Sequence, residues 1–412
     1  MQRTLFLALC FFSLAISLRI VPTGLVSFSY VLLMSVAAIQ AVSTLRSHNG
    51  ATIWNMLEFP ELVGILLFCY LLLSIAWSPT EAVFSAWETL SEYRIFVAIP
   101  ILIFAFKQLD DEYINKVHLC FFLGLSAGLG FSILDEVELL CKPFYMRNLY
   151  IMNGFLSSVL IAYCFFPVGR IVRINSALRY LVAFLAACHV LILDEGRTGF
   201  IQIMVVLPFS VLMLRGSRRK LAVTLMSFSI FGAAFIFNPD FFSGLREIMI
   251  NSDAYLESGV TLKQSEGQRL DFYFSALRIW LDNPVFGVGV GGLNAALELQ
   301  YKAGLASDMT DNIHNEYLNQ LAMGGFVGFA IFLAWLFGHL VRIIKLYRNA
   351  DFQASGWYLV VGITLMVGMA FNSSLKDFGE KNLYTLVLVL AVWCYNRRVM
   401  RPPIASSRNQ GL

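Results

Sequence analysis

Apolar runs of about 16–20 residues recur along the chain, from "LFLALCFFSLAISL" near its start to "LYTLVLVLAVW" near its end. At 1.5 Å rise per residue, a run of this length crosses the hydrocarbon core of a bilayer. Backbone polar groups in lipid must be satisfied internally, so a spanning segment is a helix or part of a closed barrel. Barrel strands alternate apolar and polar residues over about ten positions, and these runs do not alternate. Composition points the same way. The 412 residues are 58% hydrophobic and 14% charged, against about 45–50% apolar and about 25% charged in a soluble domain. The expected fold is therefore all-α, a polytopic membrane protein with about twelve transmembrane helices.

The runs centre near residues 12, 33, 68, 100, 125, 157, 186, 207, 228, 326, 364 and 388. The first resembles a signal peptide, but no clean small-residue cleavage site follows it, so it counts as a span. Nine spans fill 1–237 and three fill 318–412 together with a tail. Between them, 238–317 forms one large loop, about 80 residues long where other loops are short; loops of such length are usually functional or disordered. Its "RLDFYFSALRIWLDNPVF" carries Leu270, Phe274, Leu277 and Trp280 at helical spacing, which predicts a folded helical cap.

Lys and Arg set the orientation. With the N-terminus inside, the inner segments hold roughly 18 basic residues and the short outer segments roughly 7, a strong positive-inside bias. Both termini are then cytoplasmic and the large loop lies outside. Nothing resembles a nucleic-acid reader. The seven cysteines lie mostly in apolar runs without a CxxC pair, which suggests small hydrophobes rather than a zinc site or disulfide framework.

In this topology His314, in "DMTDNIHNEYLNQLAMGGF", is the histidine in an outer loop. Asp311 or Asn312 can cap the helix that follows. His314 would then sit in the first turn, where the helix dipole disfavours imidazolium, and a neutral imidazole can act as a general base. Arg197 lies in the short turn "LDEGRTGF", Arg269 opens the loop helix, and Arg94 starts a span from the outer side. Forked guanidinium donors suit phosphate oxygens. Lys376 and Asp377 share the last outer turn, "NSSLKDFGEKN", whose Asn372 matches a glycosylation sequon of little weight in so short a turn. Each also has a plainer reading: an interfacial anchor that snorkels, or a solvated loop charge. "GVGVGG" at 287–292 lacks a βαβ setting and reads as a tight turn. "DEVE" at 135–138 lacks metal-site spacing and reads as a solvated span end.

Three pieces in order, "RTGF", "RLDFY…WLDNPVFGVG" and "NIHNEYL…GGFVG", resemble the bacterial O-antigen ligase and polymerase superfamily, and the ligase branch best. The resemblance implies a GT-C-like glycosyltransferase of the inner membrane, with its active site facing the periplasm. The donor would be a glycan on undecaprenyl pyrophosphate and the acceptor lipid A-core, with no metal or nucleotide cofactor. It implies His314 as catalytic residue and Arg197 and Arg269 as loop arginines, with Asp377 matching a late acidic position. Arg94 and Lys376 are further candidate phosphate ligands. Rival readings keep the same donor but a different acceptor (an O-antigen polymerase or a protein O-oligosaccharyltransferase). From another class, a lipid-linked glycan flippase would need ionisable residues lining a path through the bilayer.

Overall fold

The computed structural model describes residues 2–19, 23–47, 57–79, 83–107, 109–137, 150–193, 197–237, 249–250, 253, 265–306, 308–349 and 352–398. Glu138, Lys142, Arg147, Asp194 and most of 238–264 lie outside this set. Every α-helix and 3-10 or π turn among the described residues belongs to one helical assembly, with no strand. The α-helices are α1 (Gln2–Ser17), α2 (Thr23–Ser47), α3 (Phe59–Leu73), α4 (Val83–Glu92), α5 (Ile95–Phe106), α6 (Asp111–Glu136), α7 (Tyr150–Phe165) and α8 (Ser176–Cys188). They continue with α9 (Arg197–Met213), α10 (Ser217–Phe237), α11 (Ser265–Asp282), α12 (Gly292–Lys302), α13 (Glu316–Asn349), α14 (Phe352–Gly368) and α15 (Phe378–Arg398).

Seven described segments are long and apolar enough to cross a membrane: Thr23–Ser43, Phe59–Trp77, Phe84–Phe106, Asp111–Glu136, Ser176–Leu193, Ser217–Ile236 and Glu316–Asn349. Gln2–Ser17, Met152–Phe165, Thr198–Met213 and Ser355–Gly368 are shorter apolar helices. Large apolar side chains face outward as well as inward. Phe28, Val31 and Ile39 on α2 and Phe228, Phe235 and Ile236 on α10 are exposed. In water that pattern would be costly; against lipid it is not, because lipid tails are as apolar as leucine. The molecule is a multi-pass helical membrane protein.

Two features fix the ends of the bundle. At one end Pro60 starts α3 and Glu58 and Glu61 form its capping box. Arg342 of α13, itself buried, pairs with both acids: Nη1 and Nη2 with Glu61, and Nη2 with Glu58 Oε2 at 3.0 Å. At the other end α13 is broken. Gly325 has φ 60° and ψ −165°, a backbone region essentially restricted to glycine. The segment after α11 fills the break. Phe326 and Val327 N–H donate to the carbonyls of Pro284 (2.8 Å) and Val285 (3.1 Å), while Val288 and Gly289 N–H donate to Ala322 (3.2 Å) and Met323 (3.0 Å). Val290 and Gly291 N–H donate to Ser74 and Ser78 Oγ beyond α3. "GVGVGG" is thus a tight turn, as expected, but one that completes a neighbouring helix.

Arg94 is the N-cap residue of α5, at its junction with α4. One expectation is corrected. On α11, Leu270, Phe274, Leu277 and Trp280 are only half-buried, whereas Phe272, Ser275, Ala276 and Ile279 are buried. α11 packs against α13, and small side chains at 275 and 276 permit that approach, so the largest apolar residues do not mark the contact face.

Candidate functional site

The chain entering α13 is built by local side-chain caps. Asn312 Oδ1 accepts from His314 N–H at 3.0 Å, and Asn315 Oδ1 accepts from Leu318 N–H at 3.1 Å. Asn315 therefore caps α13, and neither Asp311 nor Asn312 does. His314 precedes the helix instead of lying in its first turn, with φ 54°, a left-handed conformation uncommon for a residue with a Cβ. Such outliers persist where the surroundings over-determine them, and here they do. Ile313 beside it is fully buried, and Tyr273 of α11 donates its hydroxyl to the His314 carbonyl at 3.2 Å. Two residues on, Glu316 N–H donates to the Met369 carbonyl at 2.8 Å. Its carboxylate accepts from Leu375 N–H at 3.0 Å and Gln320 Nε2 at 2.8 Å.

These bonds draw the turn between α14 and α15 onto the histidine. Asn372, Ser373, Ser374 and Leu375 of that turn are fully buried. Asn372 Oδ1 lies 3.2 Å from His314 Nδ1, while Asn372 Nδ2 donates to Asp377 Oδ2 at 2.6 Å and Glu380 Oε1 at 2.5 Å. Lys376 Nζ donates to the Asp311 carbonyl at 2.5 Å, and Lys381 Nζ to the Lys376 carbonyl at 2.9 Å. Gln268 Nε2 reaches Asp308 Oδ2 at 3.2 Å, tying α11 to the same loop.

Electrostatics follows from this burial. Burial pulls the His314 pKa below its ordinary value; its bond to Asn372 opposes the shift, the Arg269 charge adds to it, and Asp377 and Asp311 oppose it. Burial pushes Asp377 up, countered by its bond to Asn372 and by His314, Lys376 and Lys381. Tyr273 is also pushed up by burial, against the pull of Arg269 and Asn315. Arg269 thus acts on both His314 and Tyr273.

Of the expected residues, His314, Arg269, Lys376 and Asp377 come together. Arg94 is set to one side: its guanidinium lies 5.1 Å above the Tyr30 ring, within electrostatic reach of Lys381. Arg197 opens α9, and its side chain lies outside the described set. α9 packs on α7 and α14, and Gln202 Nε2 lies 3.3 Å from where a Cβ on Gly368 would stand. The start of α9 is therefore at the end of the bundle that carries this turn. Among the described residues, no three His, Cys, Asp or Glu are placed to hold a metal ion.

Asn372, Tyr273, Glu316 and Glu380 join the site without being marked by a motif. The sequon at Asn372 is ruled out as a modification site by burial. Glu316 and Glu380 did carry a signal: an acid in the first turn of an apolar helix is costly unless it has a partner.

A membrane-embedded helical bundle with a polar site gathered at one end, away from the Glu61–Arg342 end, is the class that fold and site define. A family model described as O-antigen ligase matches residues 181–333, from α8 into α13. Over that stretch, less than half of the 412 residues, the chain is similar to the O-antigen ligase family. The matched stretch includes Arg197, Arg269 and His314 but not Arg94, Asn372, Lys376 or Asp377. No curated protein matches the chain.

Proposed function

We propose that this protein is an O-antigen ligase. It transfers a glycan from undecaprenyl pyrophosphate to lipid A-core on the periplasmic face of the bacterial inner membrane. The seven long apolar helices, the four shorter ones and α15 would supply the twelve spans of a GT-C-like domain. The segment 238–317 would be its periplasmic loop. The observation that carries the reading is His314: half-buried, shifted towards the neutral form, in a left-handed backbone, and flanked by Arg269 from the loop and Asp377 from the last turn.

The chemistry follows from those properties. The donor already carries a good leaving group, so the enzyme must remove a proton from an acceptor hydroxyl and stabilise charge on the departing pyrophosphate. His314 serves as the general base. Arg197 and Arg269 bind the pyrophosphate, and Arg94 and Lys376 act as outer phosphate ligands. Cationic donors fixed in a poorly hydrated site stabilise developing charge without a metal. Asp377 supports the site from behind through Asn372.

The test is a transfer assay in membranes. His314→Ala should lower turnover by about 10²-fold or more with donor binding retained; near-normal turnover would remove the base role. Offering lipid A-core, lipid-linked repeat units and an acceptor protein in parallel separates ligase from polymerase and protein transferase. Label appearing on a substrate other than lipid A-core would replace the ligase reading.

A further inference from the structure

Asn372 is assigned no contact with substrate, yet it is the side chain that joins His314 to the acids behind it. It is fully buried in the turn between α14 and α15. Its amide makes three contacts of definite polarity. The nitrogen faces Asp377 Oδ2 (2.6 Å) and Glu380 Oε1 (2.5 Å), and the oxygen faces His314 Nδ1 (3.2 Å). An amide nitrogen only donates and an amide oxygen only accepts. With the amide turned over, its oxygen would confront two carboxyl groups, and both would have to be protonated to avoid repulsion. Burial raises both acids, Glu380 well above the ordinary carboxyl range, while Lys376, Lys381 and the Asn372 N–H pull Asp377 back towards the carboxylate, and one carboxylate beside the amide is enough to draw its nitrogen to that side. The carboxylates therefore orient the amide, and the amide presents an acceptor to the imidazole. Nδ1 must then carry the ring hydrogen, and in the neutral ring Nε2 keeps the lone pair.

We propose that Asn372, aligned by Asp377 and Glu380, is a positioning residue that holds His314 as the Nδ1–H tautomer and leaves Nε2 as the proton-accepting atom. The proposal rests on the base role assigned to His314 above. A neutral amide is well suited to this place. A carboxylate bonded directly to Nδ1 would favour imidazolium, and a protonated ring cannot act as a base. The amide sets the tautomer without adding a full charge beside the ring. In the transfer step Nε2 takes the proton of the acceptor hydroxyl, and that oxygen bonds to the anomeric carbon. The bond from that carbon to the pyrophosphate oxygen breaks, and the leaving group departs with its electron pair. The imidazolium keeps its Nδ1–H bond to Asn372 and returns the Nε2 proton to water or to the departing phosphate.

The experiment uses the full chain in lipid nanodiscs with ¹⁵N-labelled histidine rings. The chain has five histidines, and a His314→Gln sample identifies the His314 signals by difference. Long-range ¹H–¹⁵N correlations at pH 8 report which ring nitrogen is protonated. The expected result is Nδ1–H in the wild-type protein, and Nε2–H would overturn the proposal whether or not any variant folds. Asn372→Leu should lose the Nδ1–H preference and lower kcat by about 10²-fold with little change in donor KM. Asn372→Asp keeps an oxygen in place and should retain the Nδ1–H form. An Asn372→Leu protein with an unchanged tautomer and unchanged kcat would also overturn it. The base role fails separately, by persistent turnover in His314→Ala, so each result bears on one idea.

Discussion

His314 is held in a left-handed backbone conformation by bonds to its own N–H and carbonyl, and the charges around it act in opposite senses. Burial and Arg269 lower its pKa, while Asp377 raises it. Transfer should therefore rise with pH through a value below the ordinary 6.5 and then level off. Arg269→Gln removes a nearby positive charge, so the acid limb should move to higher pH; Asp377→Asn should move it to lower pH. Initial rates against pH in membranes test both signs. Equal shifts, or shifts in the reverse order, would mean these residues do not act on His314. The same depression has a stability consequence. The unfolded chain takes up the proton first as pH falls, so the stability from burying the neutral ring is present above about pH 6.5 and lost progressively below it.

At the level of elements, the break in α13 shows how two glycine-containing motifs depend on each other. A Cβ on Gly325 would stand 2.4 Å from Gly287 N, and one on Gly287 would stand 2.4 Å from Met323 O. Positive φ already favours glycine at both positions, and the close approach of the two backbones leaves no room for a Cβ at either. Gly325→Ala should cost at least about 1–3 kcal/mol for the disfavoured backbone region alone, with the steric overlap in addition. Thermal unfolding in detergent should show a lower Tm than the wild type, whereas Gly232→Ala, at a position with open space around it, should not. Equal stability of Gly325→Ala and wild type would mean that the loop does not complete the helix. The half of α13 before the break positions Glu316 and hence the whole histidine loop, so the same substitution should also reduce transfer.

Across the whole molecule, polarity is divided between two ends. The buried Glu61–Arg342 pair lies at one end, and His314, Asn372 and Asp377 lie at the other. In the proposed topology the first would face the cytoplasm and the second the periplasm. In a background without native cysteines, Asp308→Cys should react with an impermeant thiol reagent in intact spheroplasts. Arg348→Cys should react only after permeabilisation. The reverse pattern would invert the topology and move the site to the wrong side of the membrane for a periplasmic donor.

Sequence alone determined the helical membrane class, because span length and the absence of alternation are properties of contiguous residues. It also made His314 and Arg269 candidates, since their motifs are local. It did not show that the buried face of α11 is Phe272, Ser275, Ala276 and Ile279, because close packing rewards small side chains that hydropathy ignores. Asn372 matches a sequon of little weight in so short a turn, and only the fold buries it between a histidine 58 positions away and two acids. That difference has a physical reason. An apolar run is recognised by the solvent it prefers, one segment at a time, whereas a hydrogen-bonded site exists only when α11, α13 and the turn before α15 share one volume from which water is excluded.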